Sequence, residues 1–70
     1  MDFQKHLSIT GSSSISWQDA IGRTIEEVSK SIDYLTGIDI KRQYASISGN
    51  KIENYIVDLD ITFTIDTSRK

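Results

Sequence analysis

Three groups of side chains in this sequence are of types that carry chemistry. His6, the sole histidine, falls on the polar side of an alternating segment, where an imidazole can ligate a metal or pass a proton. Asp58 and Asp60 stand two apart on one strand face, and with Asp39 they offer the carboxylate oxygens that hold hard cations such as calcium or magnesium. Gly11-Ser12-Ser13-Ser14 precedes a helix pattern, and small residues at a helix N-terminus can cradle an anion.

Each group also has a simpler reading. His6 has no recognisable partner and reads as a solvated surface residue, although copies meeting at a symmetry axis would share a metal site. The three acids read as the wet face of a sheet. The Gly-Ser run lacks the glycine spacing and the lysine of a P-loop and reads as a strand-to-helix turn. No base stands near Ser12 to Ser14 to make a nucleophile. No acid/base pair separates itself from the scattered carboxylates. The chain therefore reads as a binding protein and not as an enzyme.

The elements that must position these residues come in the order β-α-β-β, an α+β arrangement. Residues 3–10 alternate, with Phe3, Lys5, Leu7 and Ile9 on one face and Gln4, His6, Ser8 and Thr10 on the other. A helix pattern runs from Trp17 to Leu35, an element of residues 16–36 once its caps are included. Ser16 is the N-cap with Asp19 three residues on, and Ile15 and Ala20 are spaced for a hydrophobic staple. Trp17, Ile21, Ile25, Val28, Ile32 and Leu35 form one stripe. Arg23, Glu26, Glu27 and Lys30 take the wet side, with Glu26 and Lys30 as an i,i+4 pair. Gly37 fits the position just past the helix end.

Residues 38–47 form a second strand of mixed character. Ile38, Ile40, Arg42 and Tyr44 fall on one side, and Asp39, Lys41, Gln43, Ala45 and Ile47 on the other. Ser48-Gly49-Asn50 signals a hairpin turn. A third strand runs over 51–65, with Tyr55, Val57, Leu59, Ile61, Phe63 and Ile65 facing one way and Asn54, Asp58, Asp60, Thr62 and Thr64 the other. It is longer than the usual ~5–6 residues, and the surplus is expected to pair with a neighbouring subunit. The polar tail from Asp66 to Lys70 is expected to fray.

Size and composition bound the function. Seventy residues make one domain, and a chain this short buries little apolar surface. Such chains add disulfides, a metal or partner subunits. With no cysteine and one histidine, disulfides, thiolate metal sites and a histidine cluster within one chain are excluded, which leaves self-association. A net charge of −2 with interspersed signs is not the concentrated basic face that nucleic acid requires. No apolar run is long enough to span a membrane or act as a secretory segment, and the expected location is the cytoplasm.

The runs G-S-S at 11–13, S-W-Q-D-A-I at 16–21, G-N-K-I at 49–52 and N-Y-I-V-D-L-D-I-T-F at 54–63 resemble the dodecin family. The register is continuous over nearly the whole chain, and the S-W at the helix start is similar to one branch of that family. The resemblance implies a βαββ subunit whose curved three-stranded antiparallel sheet wraps one helix, twelve copies forming a hollow spherical homododecamer. It implies storage or buffering of flavins such as riboflavin or FMN, without enzymatic activity. Some members of the S-W branch hold calcium. In flavin-binding members a tryptophan before the second strand stacks on the flavin ring, a glutamine in the third strand bonds its polar edge, and a basic residue on the second strand meets the FMN phosphate. The corresponding positions here are Gly37, Ile56 and Tyr44. All three depart from the pattern, which predicts weak flavin affinity or none. Trp17 lies far from Gly37 in sequence and reads as a packing residue that anchors the helix start. Tyr44 reads as a strand or interface aromatic with a face that can stack on a flat ligand. The alternative function is a structural or calcium-holding shell without flavin.

Overall fold

The alternation in the last strand fixes which side of the sheet is dry, and the other elements assemble on that frame. The computed structural model describes residues 2–32 and 34–66, with the backbone alone described for Asp2, Ile65 and Asp66. The elements are β1 (Asp2–Ser13), α1 (Trp17–Ser29), β2 (Leu35–Ser48) and β3 (Lys51–Asp66). They form a three-stranded sheet in the order β1-β3-β2, with β3 antiparallel to both neighbours.

Helix α1 lies over β1 and β3. The core is Val57, Leu59 and Ile61 from β3 against Ala20 and Val28 from α1, flanked by Ile9, Trp17, Ile21, Ile32 and Leu35. Each fully buried aliphatic side chain contributes about 1.5–3 kcal/mol. The helix face turned inward is Ala20, Thr24 and Val28, a line rotated from the expected stripe, whose large members sit half-buried at its flanks. Gly11 is the reason. A Cβ there would collide with the Thr24 hydroxyl and crowd the Thr24 Cβ, so glycine in β1 and small residues in α1 together allow the close approach.

The N-cap forms as expected, with the Asp19 amide donating to Ser16 Oγ at 2.9 Å. Ile15, expected to staple the helix entry against Ala20, is 63% exposed. The helix is shorter than the sequence pattern. It ends at Ser29, where Ser31 and Ile32 amides donate to the Val28 carbonyl at 3.0 and 3.1 Å. Leu35 already belongs to β2, and the Thr64 amide donates to the Tyr34 carbonyl at 3.0 Å. Sheet hydrogen bonds to β3 take this segment before a further helical turn can. Ile32 and Leu35 still reach the core, but from outside the helix. Gly37 is a strand residue opposite Thr62 and not a helix cap. Lys30 pairs with Glu27, at 3.0 Å, in place of Glu26.

Two further expectations change for the same reason. Gly11, Ser12 and Ser13 pair with Val57, Ile56 and Tyr55, so they extend β1 instead of turning, and the connection is only Ser14 to Ser16. The length of β3 is matched inside the chain, by β1 over residues 55–66 and by β2 over 51–63. Only residues 51–54 of β3 keep an open edge, on the β1 side, besides the outer edges of β1 and β2.

β2 carries the irregularities. Its register shifts between Leu35 and Gly37, between Ile40 and Arg42, and between Ser46 and Ile47. Ile38 and Ile40 oppose Ile61 and Leu59 on the helix side. Past the extra residue Lys41, Arg42 opposes Asp58 and Tyr44 opposes Ile56, on the outer side. A bulge reverses the alternation, so the four residues expected on one face divide between two. The β2–β3 turn has Gly49 at φ 60° and Asn50 at φ 63°, two consecutive left-handed residues as a type I′ turn demands. No described helix is long and apolar enough to cross a membrane.

Candidate ligand-binding site

The outer face of the sheet, away from α1, gathers most of the residues singled out by the sequence. Period-2 alternation in β3 puts Ile56, Asp58, Asp60 and Thr62 there, flanked by Thr10, Ser8 and His6 of β1 and by Tyr44, Arg42, Asp39 and Gly37 of β2. The Arg42 guanidinium carbon lies 4.2 Å from the centroid of the Tyr44 ring, a cation–π contact. Arg42 Nε is 3.5 Å from Asp58 Oδ2, and Thr10 Oγ1 donates to Asp58 Oδ1 at 2.9 Å.

From the other side of the sheet, Trp17 Nε1 donates to the Tyr44 carbonyl at 2.8 Å. Its ring meets Tyr55 edge-on, with centroids 4.9 Å apart. Trp17 is thus a half-buried packing residue that ties the start of α1 to β2. It also fixes the backbone that carries Tyr44.

The three flavin-position residues are not brought together within one chain. Tyr44 opposes Ile56, but Gly37 opposes Thr62, and six residues of β3 separate these pairs by about 20 Å at ~3.3–3.4 Å per residue. That span is longer than a flavin ring system, so one chain cannot close a flavin site with both ends. Arg42 was not singled out by the sequence. It brings a cation beside Tyr44, the position at which the resemblance implies a basic residue. The signal that would have found it is the bulge at Lys41, which no local pattern announces.

The acids are engaged one by one. Asp39 directly opposes Asp60. Lys41 Nζ lies 3.0 Å from Asp39 Oδ2, and this hydrogen bond, with the attraction of the same carboxylate, raises the Lys41 pKa above its ordinary value. His6 Nδ1 lies 3.2 Å from Thr62 Oγ1 and 3.8 Å from Asp60 Oδ2. Asp60 Oδ1 is buried and has no hydrogen-bond partner among the described residues. Among those residues no group of three or more His, Asp or Glu side chains is arranged to hold a metal ion.

The Gly-Ser segment offers no anion cradle. Ser13 Oγ donates to Asp19 Oδ2 at 2.6 Å and accepts from the Ile15 amide at 2.9 Å. Arg23 Nε donates to the same Asp19 oxygen at 2.7 Å. The Ser13 hydroxyl, and next to it Arg23, hold the Asp19 pKa below the usual carboxylate value. A carboxylate of the chain itself thus complements the helix N-terminus.

A family model described as Dodecin matches residues 4–66. The chain belongs to the dodecin family. No curated protein matches it. Among solved structures, an arginine-to-alanine variant of the Thermus thermophilus dodecin is 20% identical, covers 94% of this chain and 98% of its own, and superposes with a TM-score of 0.88. Dodecin from Streptomyces davaonensis is 18% identical, covers 93% and 96%, and gives 0.87. A calcium-chelating immunodominant antigen of Mycobacterium tuberculosis, a calcium dodecin described with a novel calcium-binding site, is 23% identical, covers 97% of both chains and gives 0.80. At these identities the likeness establishes the fold. This chain therefore shares the dodecin backbone.

Proposed function

We propose that this dodecin is a subunit of a closed homododecameric shell that binds and stores a small ligand, with flavin affinity weak or lost. The observation that carries the reading is the imbalance of apolar surface. Among the described residues five hydrophobic side chains are buried, while Phe3, Leu7, Ile38, Ile40, Ile47 and Ile52 are each at least 36% exposed. A monomer of this size needs that surface covered, and closed point-group assembly is the usual means.

The ligand reading rests on the outer face. Tyr44 offers a ring, Arg42 a cation and Asp58 an acceptor, a set able to orient a flat polar molecule. Gly37 supplies no ring to stack, and Ile56 no hydrogen bond to the edge of a heterocycle. The departures at these two positions argue against tight flavin binding, and the reading includes no catalytic step. A second reading, a calcium-holding shell, is favoured by Asp60 Oδ1, buried without a hydrogen-bond partner among the described residues and facing Asp39 across the sheet.

The test is absolute mass by light scattering on a sizing column, with flavin absorbance read across the same peak. A colourless particle of about 95 kDa, twelve times 7.9 kDa, is expected. A monomer or dimer defeats the reading. A yellow particle restores flavin as the ligand. A rise in melting temperature with calcium alone favours the second reading.

A further inference from the structure

One polar atom of the outer face is left without a partner. Asp60 Oδ1 is buried and takes no hydrogen bond among the described residues. A carboxylate oxygen withdrawn from water and given no donor is costly, so a positive group is wanted against it. The basic side chains of that face are engaged with other acids. Lys41 Nζ lies 3.0 Å from Asp39 Oδ2, and Arg42 Nε lies 3.5 Å from Asp58 Oδ2. Asp39 directly opposes Asp60 from β2 and adds negative charge at the same place.

The group that approaches Asp60 from β1 is His6. Its Nδ1 lies 3.8 Å from Asp60 Oδ2, too long for a hydrogen bond. That distance is close to the ~3.4 Å between two ligands of one tetrahedral ion whose bonds are ~2.0–2.2 Å. The ring meets Thr62 Oγ1 at Nδ1, at 3.2 Å, a contact that a metal bond can replace. The two side chains are 60% and 24% exposed, so water reaches the open side of the pair. Their strands run in unbroken register here, with His6 opposite Thr62 and Ser8 opposite Asp60, so the backbone sets the two donors at a fixed diagonal.

We propose that His6 Nδ1 and the Asp60 carboxylate bind one divalent transition-metal ion, of the zinc class, across β1 and β3. The donor set decides the ion. Calcium and magnesium take oxygen ligands, whereas an imidazole nitrogen beside a carboxylate suits zinc and its neighbours in the first transition row. Two protein donors leave the remaining positions to water, in keeping with the lack of a three-residue group among the described residues. A carboxylate that grips the ion through both oxygens gives Oδ1 its partner, and the ion offsets the facing charge of Asp39. Both donors come from one chain, so the site needs no neighbouring copy. The inference deepens the cation reading above by replacing calcium with a softer ion.

His6 is the sole histidine, so its ring nitrogens give a single set of resonances. Titration with zinc chloride is expected to shift the Nδ1 resonance and to raise the melting temperature by ~4 °C or more. Calcium chloride at the same concentration is expected to do neither. His6→Gln and Asp60→Asn replace polar side chains that water reaches, and each is expected to fold and to lose the zinc response. An Nδ1 resonance unmoved by zinc overturns the site. So does a melting shift that survives in both variants, which marks an adventitious ion only. A calcium shift equal to that of zinc overturns the choice of ion and leaves the calcium reading standing. A shell-sized particle without a zinc response defeats this site alone, whereas a monomeric chain that binds zinc at His6 supports it and defeats the shell.

Discussion

The β1–β3 half of the sheet and the β2–β3 half share a central strand but behave differently. β1 pairs with β3 residue for residue from Asp2–Asp66 to Ser13–Tyr55, under the helix and against the core. β2 meets the same strand with three register shifts, and its residues are half-exposed or exposed throughout. The contrast separates the half of the sheet that the chain's own core covers from the half it leaves open. Regular pairing maximises hydrogen bonds and burial. Bulges give up both locally and re-aim side chains, and here they turn Ile38 and Ile40 toward one side and Arg42 and Tyr44 toward the other.

The sharpest way to break this contrast is to cut into each half. Leu59→Ala, in the fully buried row, is expected to cost about 2–5 kcal/mol in denaturant unfolding. Ile40→Ala, its direct neighbour on β2 at 45% exposure in the single chain, should cost well under half of that in an unassembled chain and approach it in a closed shell. Equal losses would mean that β2 is as deeply covered as β3 in the particle measured. Gly11→Ala tests the close approach of α1 to β1 and is expected to cost about 1–3 kcal/mol through overpacking, with part recovered in Gly11→Ala/Thr24→Ala. A Gly11→Ala melt indistinguishable from wild type would show that the helix is free to move away.

On the β2 side, Gly37→Trp/Ile56→Gln restores the ring and the amide that flavin-binding dodecins use. Riboflavin fluorescence quenching should strengthen at least tenfold in affinity over wild type, about 1.4 kcal/mol. An assembled double variant blind to riboflavin would disprove the site assignment. The smallest effect concerns Asp19. Its folded-state pKa lies below the usual ~3.9 of an unfolded aspartate, so its contribution to stability is present above about pH 4 and is lost as pH falls through the lower folded value. Asp19→Asn should flatten the fall in melting temperature below about pH 4 and leave Tyr44 and the β2 outer face unchanged. A melting profile identical to wild type across that range would assign the acid lability to other carboxylates.

Much of the subunit was legible in the residues. The alternation of β3, the Ser16 cap, the Gly49-Asn50 turn and the order of the elements all follow from local propensities that the tertiary structure reinforces. The outer-face acids and His6 were placed correctly by parity within their own strands. Parity failed on β2, because the bulge at Lys41 inverts the positions from Arg42 to Ser46, until a further shift at Ile47 restores them. The spacing of Ile32 and Leu35 imitated a helical stripe, but both residues serve the core from extended or irregular backbone.

The sequence by itself determined which elements form and which side of each regular strand is dry, because both depend on neighbours within a few residues. Only the tertiary structure decided where α1 stops, how far β1 runs and which way Arg42 and Tyr44 point. Those outcomes depend on hydrogen bonds to β3, a partner tens of residues away, and on the close packing that Gly11 permits. Long-range pairing overrides local period wherever the two compete, and in this chain they compete at the ends of α1 and β1 and along β2.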